Sequence, residues 1–376
     1  MQSLDEKEWK RISINSVFVI GHGFYNKKPP MSSEGEVPFI GASGINNGVT
    51  GFCTMQAIED NSKVGYGPNE PIERKLFNKG SICVVNNGSA IGYSYYQPKQ
   101  FTCTHDVNPL TLRDHEMNED EALFLAQMIR QQGDCFIYAR KWRPSRMVSS
   151  QFLLPVDSAG NPDYAYMAEY VQQKRAAMLD KYHKYVEARI AELGELVEIP
   201  MLDEKEWDEF FIGDLFEVSR PKSRNKDDYD FGNTPFVASG ALNNGVMKCC
   251  DAKQDEQLDA GNCITVSPVD GSTFYQPMDF LGRGGAGSSI LMLRSDWLNL
   301  YLGQFIARTV RQTCSKYTYG HMGNKDSIKR ERIMLPIDDS GKPDYEYMEQ
   351  YAKNMMLIKY KQYLEFINRQ NVAEVD

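Results

Sequence analysis

Four clusters of basic residues, each interleaved with aromatic or amide residues, stand out in this chain of 376 residues. Arginine can donate two hydrogen bonds to guanine, asparagine pairs with adenine, and lysine binds phosphate, so such clusters are typical of DNA-binding surfaces. The alternative is that they are solvated loops without a ligand. The candidate DNA contacts are Tyr25, Asn26, Lys27 and Lys28; Arg140, Lys141, Arg143 and Arg146; Arg220, Lys222, Arg224 and Lys226; and Lys316, Tyr317, Tyr319, His321, Lys325 and Lys329.

The sequence lacks the patterns that catalysis or cofactor binding usually requires. It has no phosphate-binding loop of the P-loop type, and Gly21-His22-Gly23 is too short for a dinucleotide site. The Asn-Pro-Pro-Tyr signature of amino-methyltransferases is also absent. The five histidines are not spaced as metal ligands, and His105-Asp106 is expected to be a surface pair, since neighbouring residues on a strand point to opposite faces. We therefore expect a chain that is not an enzyme and binds no metal or cofactor itself.

Composition limits the partners and the compartment. The chain has 42 basic and 51 acidic residues, hence a formal net charge of −9, which excludes a uniformly basic nucleic-acid binder but allows a local basic face. No apolar run of about 18 residues occurs, so we expect no membrane span, and the charged start does not resemble a secretory signal. The eight cysteines form no Cys-x-x-Cys pair, which favours reduced thiols in the cytoplasm.

The elements that carry these clusters are repeated along the chain. Five sequence segments recur in the same order, and the second copy is shorter in its middle. Because such an ordered series of matches does not arise by chance, the chain is a tandem duplication. The matching segments are Leu4–Trp9 with Leu202–Trp207, Pro38–Val49 with Pro235–Val246, Tyr96–Pro98 with Tyr275–Pro277, Leu154–Asp157 with Leu335–Asp338, and Gly160–Tyr164 with Gly341–Tyr345.

Each copy begins with a part that reads as a mostly β globule, over residues 1–153 and 201–334. The apolar runs Ser81–Val85 and Cys263–Val266 predict buried strands, while Asn46–Gly48 and Asn243–Gly245 predict tight turns, since Asn and Gly accept a positive φ. Helical patterns over Glu121–Gln132 and Trp297–Arg311 close the two globules. The predicted fold class is therefore α+β.

Each globule is followed by a predicted long helix, over about 163–197 and 344–369, within spacer regions at 154–200 and 335–376. Asp163 and Asp344 follow a proline and can cap the first turn. A single apolar stripe on each helix predicts that the two helices pack on each other as an antiparallel pair; the alternative is that each stripe packs on its own globule. The pairing residues are Met167, Val171, Met178, Tyr182, Val186, Met348, Met356, Tyr360, Tyr363 and Ile367.

This order of globule, Leu-Pro-x-Asp, Gly-x-Pro-Asp-Tyr and long helix, given twice, resembles the DNA-specificity subunit of type I restriction-modification systems. It is also similar to the related type IIB specificity subunits. The resemblance runs from Trp9 to about Ile367, and its most specific segments are Phe39–Phe52 and Leu154–Met167. The second copy departs from the pattern at Met247-Lys248-Cys249.

The resemblance implies two target recognition domains that read the two halves of a split DNA sequence, joined by an antiparallel coiled coil. It implies a protein that partners double-stranded DNA and methyltransferase subunits, expected in two copies, which bring S-adenosylmethionine. In a type I system, restriction motor subunits join as well. A type IIB partner would instead be a fused methyltransferase-nuclease. A rival from another class is a duplicated β-domain that binds a glycan or a protein through its 21 tyrosines.

Overall fold

The computed structural model describes residues 2–136, 140–285 and 289–373, without the side chains of residues 370–373. The chain divides into two compact units, Met1–Tyr182 and His183–Asp376. The first unit contains one globule and most of the first long helix. The second contains the end of that helix, the other globule and the second long helix.

The first globule consists of short strands with one long closing helix. Its strands are β1 Trp9–Ser13, β2 Phe18–Ile20, β3 Val37–Ile40, β4 Val49–Cys53, β5 Ser81–Val85, β6 Ser94–Gln97, β7 Thr102–Cys103, β8 Val107–Leu112 and β9 Gln151–Pro155. Its helices are α1 Ile14–Val17, α2 Met55–Asp60, α3 Glu119–Gly133 and α4 Pro144–Met147, and the long helix α5 Tyr164–Leu193 follows.

The second globule repeats this series of elements. Its strands are β10 Trp207–Phe211, β11 Glu217–Ser219, β12 Phe231–Val237, β13 Val246–Cys250, β14 Cys263–Val266, β15 Thr273–Gln276, β16 Leu281–Gly282, β17 Leu291–Arg294 and β18 Arg332–Pro336. Its helices are α6 Ile212–Leu215, α7 Leu300–Cys314 and α8 Lys325–Lys329, followed by the long helix α9 Tyr345–Ala373.

The sheets confirm the duplication strand by strand. In the first globule the four-stranded sheet has the order β2-β8-β5-β6 and the three-stranded sheet β4-β3-β7; in the second these are β11-β17-β14-β15 and β13-β12-β16. A two-stranded antiparallel sheet, β1-β9 or β10-β18, joins the two ends of each globule. The helix α2 has no counterpart between β13 and β14 in the described residues, which accounts for part of the shorter middle of the second copy.

The sequence patterns explain the central elements. All five residues of β5 are buried, because this strand lies between β6 and β8 in its sheet, and it has the bounds that its apolar run predicts. At the predicted turns, Asn46, Asn47, Asn243 and Asn244 have φ between 50° and 56°, so each turn links an antiparallel pair of strands. The helix α3 starts at a capping box in which Asn118 and Glu121 exchange hydrogen bonds.

Two of the repeated segments meet at the start of each long helix. Asp163 Oδ1 accepts a hydrogen bond from the backbone N–H of Tyr166 and so caps α5, as expected. The other carboxylate oxygen of Asp163 lies 2.6 Å from Nζ of Lys7, which belongs to the repeated segment Leu4–Trp9. In the second unit, Asp344 caps α9 and lies 2.8 Å from Lys205 in the same way. The structure therefore explains why these two distant segments recur together.

The globules extend slightly further than the sequence predicted. Leu154 and Pro155 belong to β9 and pair with Lys10 and Trp9 of β1, while Leu335 and Pro336 belong to β18 and pair with β10. The predicted boundaries after residues 153 and 334 therefore fall inside strands of the two-stranded sheets. The Leu-Pro-x-Asp segment closes the globule instead of opening the spacer.

Candidate nucleic-acid interface

The first predicted cluster is divided between core and surface. Asn26, Lys27 and Lys28 are exposed, but Tyr25 is fully buried. The hydroxyl of Tyr25 donates to the carbonyl of Ile58 at 3.1 Å, and burial raises its pKa well above the ordinary value. Tyr25 therefore supports the fold beneath the loop and does not present its ring to a ligand, which corrects its assignment as a DNA contact.

The second cluster, which comprises Arg140, Lys141, Arg143 and Arg146, is held in place by the buried Trp142. Trp142 is fully buried, stacks on Phe136 with ring centroids 4.8 Å apart, and donates through Nε1 to Ser150. Its backbone N–H donates to the carbonyl of Asn86, the residue after β5, at 3.1 Å. Trp142 anchors this segment in the core, and the charged residues on either side of it extend to the surface. Arg140, Arg143 and Arg146 are exposed and Lys141 is half-buried.

The third cluster contains one residue that the structure removes from the candidates. Arg224 is 7% exposed, and its guanidinium donates to Glu256 and Asp259 at 2.7 Å each. Burial alone would lower the pKa of Arg224, but these hydrogen bonds hold it above its ordinary value. Its charge is neutralised inside the globule, so it is a structural residue. Arg220 and Lys222 are exposed and Lys226 is half-buried.

The fourth cluster is also partly structural. Tyr317 is buried and its hydroxyl donates to Glu331, which also pairs with Lys316. Burial raises the pKa of Tyr317 to about 12. Tyr319 is 83% exposed. His321, which stacks on Tyr317 at 5.8 Å, and Lys325 are exposed as well, whereas Lys329 is half-buried.

The second and fourth clusters occupy equivalent places in the two globules. Trp142 N–H donates to the carbonyl of Asn86 after β5, and Gly323 N–H donates to the carbonyl of Pro268 after β14 at 2.8 Å. A similar backbone contact, one residue after β5 and two residues after β14, thus fastens each cluster to the corresponding sheet. The side chains around this contact differ between the globules.

Sequence reasoning missed residues that the fold brings to the second cluster. Lys63, His22 and His105 line a pocket with Lys141 and Arg143 in the first globule. The backbone carbonyl of Lys63 accepts hydrogen bonds from Asn26 and Lys27, which links the first and second clusters. No sequence signal showed that Lys63, His22 and His105 lie together with this cluster, because they are separated along the chain and lie in unlike loops.

The residues His105 and Asp106 also differ from expectation. They lie in the turn between β7 and β8, where their side chains approach to 3.4 Å between Nε2 and Oδ1, and both line this pocket. The strand argument that placed them on opposite faces does not apply in a turn. Their contact is nevertheless at the surface, as predicted, because nearly half of the His105 side chain is exposed.

The long helices pair within the second unit. Rings of Tyr185 on α5 and Tyr360 on α9 lie 6.3 Å apart, edge to face. The side chain of Asn354 exchanges two hydrogen bonds with the backbone of Val197, at 2.7 and 3.2 Å. Tyr185 contacts Tyr360, and Val197, further along the chain, contacts the earlier residue Asn354 of α9. The two segments are therefore antiparallel, as predicted. Val186 is fully buried in this region.

The predicted pairing residues near the start of each helix behave differently. Met167 lies in the core of the first globule with Val171 packed against it, and Met348 lies in the core of the second. At the start of each helix the apolar stripe therefore packs on the helix's own globule and not on the other helix. This was the alternative to helix pairing in the sequence analysis. Met178 is 72% exposed and Tyr182 38%. Met356, Tyr360, Tyr363 and Ile367 are half-buried.

Two further observations concern ligands and membranes. Among the described residues, no group of three or more His, Cys, Asp or Glu side chains is arranged to hold a metal ion. In the same part of the chain, no helix is long and apolar enough to span a bilayer.

The chain is similar to known specificity proteins. The family described as "Type I restriction modification DNA specificity domain" matches residues 6–195 and 204–365. A curated relative, the BgcI specificity subunit of a type II restriction enzyme from Heyndrickxia coagulans, is 25% identical over 286 residues, covering 75% of this chain and 80% of the relative.

Two solved structures align with nearly the whole chain. One is the S subunit of a type I restriction-modification system from M. genitalium, with a TM-score of 0.45 and 13% identity, covering 99% of this chain and 94% of that one. The other is the HsdS subunit from Thermoanaerobacter tengcongensis, with a TM-score of 0.29 and 14% identity, covering 96% and 91%.

Proposed function

The chain belongs to the type I restriction modification DNA specificity domain family, and from this premise we propose that its two globules read the two halves of one split DNA target. It is a DNA-recognition component of a restriction-modification system. We propose that it acts without catalysis of its own, in the cytoplasm, by placing other subunits on the DNA. The free thiols of all eight cysteines support a reducing compartment.

One observation carries this proposal. The two globules have the same strands in the same sheet order, yet the loops that hold their exposed cations differ in sequence. A shared scaffold with unlike loops is suited to reading two unlike sequences with one docking geometry. The target is therefore a non-palindromic sequence in two parts, with an unread spacer between them.

The long helices would set the length of that spacer. α5 has 30 residues and α9 has 29, and at about 1.5 Å per residue such a helix is about 45 Å long. At about 3.4 Å per base pair this corresponds to roughly 13 base pairs between the centres of the half-sites. Adding two turns to both helices should lengthen the spacer and leave the half-sites unchanged; an unchanged spacer would exclude the helices as its ruler.

The same helices are proposed to dock methyltransferase subunits, expected in two copies. Those subunits would bind S-adenosylmethionine and transfer its methyl group to adenine. In a type I system, restriction motor subunits would join the complex. The alternative partner, a fused methyltransferase-nuclease, is favoured by the curated relative, which is named as part of a type II restriction enzyme. The masses of the subunits that copurify with this chain distinguish the two systems.

A binding experiment tests the proposal against the glycan-binding alternative. The full chain with its copurified partner should bind duplex DNA with an affinity that falls steeply as salt rises, since cations at the interface displace counterions from phosphate. Polysaccharide should not compete. Sequencing of methyl-adenine in a host that carries the system should then give the split target. DNA binding that is absent, or glycan binding in its place, would contradict the proposal.

A further inference from the structure

A pocket of about 300 Å³, lined by several charged and amide residues, lies in the first globule at the end of the sheet where the second cluster is attached. Three cations from two separate parts of the chain line it. Lys63 follows α2, and Lys141 and Arg143 flank the buried Trp142 before α4. The fold thus brings together charges that lie almost 80 residues apart in sequence.

The charges around this pocket are unbalanced. Among the described residues, no carboxylate forms an ion pair with Lys63, Lys141 or Arg143, in contrast to the paired cations Arg224 and Lys316 of the second globule. Asp106 is the acidic residue of the lining, and its carboxylate accepts a hydrogen bond from Asn87 at 2.8 Å and contacts His105. The pocket therefore has an excess of positive charge, which favours an anionic ligand.

The two asparagines of the pocket lining are buried, and their amide N–H groups already donate hydrogen bonds within the protein. Asn86 is 6% exposed and Asn108 1%. Asn86 Nδ2 donates to Asn108 Oδ1 at 2.9 Å and to the carbonyl of His105 at 3.2 Å, and Asn108 Nδ2 donates to the carbonyl of Trp142. An asparagine that reads adenine needs its amide N–H group for the base. These amides hold the walls together, so the pocket is not built to read a base edge.

We propose that this pocket binds one backbone phosphate of the DNA bound by the first globule. Lys63, Lys141 and Arg143 contact the phosphate oxygens, and Trp142 is the positioning residue that fixes the two cluster cations beside it. This inference rests on the proposed function and adds the ligand group and its site. In the second globule the residues on either side of Gly323 are Met322 and Asn324, neither of which is charged, so that globule has no pair of cations matching Lys141 and Arg143.

The test uses the full chain with its partner and a duplex that carries the methylated target. In a series of duplexes, single phosphates of the first half-site are replaced by uncharged methylphosphonates. Only the duplex in which the phosphate bound by the pocket is replaced should bind more weakly, by about tenfold. This factor is what the loss of one charge-assisted hydrogen bond would cause. The double variant Lys63→Gln, Arg143→Gln should lose a similar factor, should have a salt slope smaller by about 1, and should no longer respond to that one replacement.

A matched control is available on the same globule. Lys79→Gln, Lys99→Gln removes two exposed lysines that do not line the pocket, and it should leave the response to methylphosphonates unchanged. Both double variants should melt at the wild-type temperature. Melting with inorganic phosphate alone shows whether the pocket instead takes a free anion.

The outcomes separate the two proposals. A complex that binds no duplex DNA at all would overturn the proposed function together with this inference. A complex that binds its target, with a double variant that keeps both the wild-type salt slope and the wild-type methylphosphonate profile, would overturn the pocket alone. Stabilisation by inorganic phosphate with a flat methylphosphonate profile would also overturn it, since the site would then bind a free anion.

Discussion

One partly buried ion pair fixes the start of each long helix to the repeated segment at the beginning of its globule. In the first unit, burial alone would raise the pKa of Asp163, but hydrogen bonds from Lys7 and from the backbone of Tyr166 hold it below its ordinary value. A carboxylate with a lowered pKa in the folded state stabilises the fold above its unfolded pKa of about 3.9. That contribution is lost as the pH falls through the folded-state pKa.

Asp163→Asn tests this contact, because asparagine keeps the helix cap and removes the charge. At neutral pH we expect a loss of about 1 kcal/mol in the free energy of unfolding of the first unit. The difference from wild type should shrink as the pH falls towards 3. Urea unfolding of both proteins across this pH range measures the difference. Glu8→Gln, which removes a charge from an exposed residue, is the control. A difference that is independent of pH would contradict the ion pair.

Arg224 and Lys222 should give opposite results although they lie in one predicted cluster. Arg224→Met leaves Glu256 and Asp259 without the cation that neutralises them, so we expect a loss of about 3 kcal/mol in the stability of the second globule. Lys222 is an exposed candidate DNA contact. Lys222→Gln should therefore weaken DNA binding, because a cation is lost, while the melting temperature stays the same, because no buried contact is lost. Thermal melting and DNA titration of both variants decide the matter; an Arg224→Met protein with wild-type stability would return Arg224 to the candidate contacts.

Single residues were harder to predict than their surroundings. Cluster composition marked both Tyr25 and Arg224 as surface residues, yet both are buried. The partners that explain this, Ile58 for Tyr25 and Asp259 for Arg224, lie more than 30 residues further along the chain. Sequence spacing carries no information about such contacts. The pocket cation Lys63 was missed for the same reason.

At the scale of elements, local patterns were sufficient where the period or the turn chemistry was strong. The strands β5 and β14 have the predicted bounds, and the predicted caps of the two long helices, Asp163 and Asp344, are confirmed. The apolar stripes showed that each helix has a buried face. The stripes could not show which element packs against this face. Met167 packs in the core of a globule and Val186 is buried where the two helices pair, yet both fit the same helical spacing.

The two parts of α5 should therefore respond differently to the same change. Val186→Asp places a charge where the side chain is fully buried, so we expect the second unit to lose about 3 kcal/mol of stability and the complex to lose its partner subunits. Met178→Asp, at a position that is 72% exposed, should change neither. Melting curves and copurification measure both effects. Equal behaviour of the two variants would contradict the described pairing.

At the scale of the whole molecule, each globule is an insertion in a small sheet. Ser13 of β1 pairs with Gln151 of β9, and Phe211 of β10 pairs with Arg332 of β18. The chain therefore enters and leaves each globule through neighbouring residues, about 5 Å apart at such pairs. Grafting at these points should preserve the rest of the chain, which makes the globules exchangeable.

The most direct test replaces residues 14–150 with a second copy of residues 212–331, so that both positions carry the second globule. Methyl-adenine sequencing in a host that carries this variant measures its target. If each globule reads its own half, the methylated sequence should become a palindrome built from the half formerly read by the second globule, with the spacer unchanged. A variant that assembles and methylates but keeps the original split sequence would contradict the account.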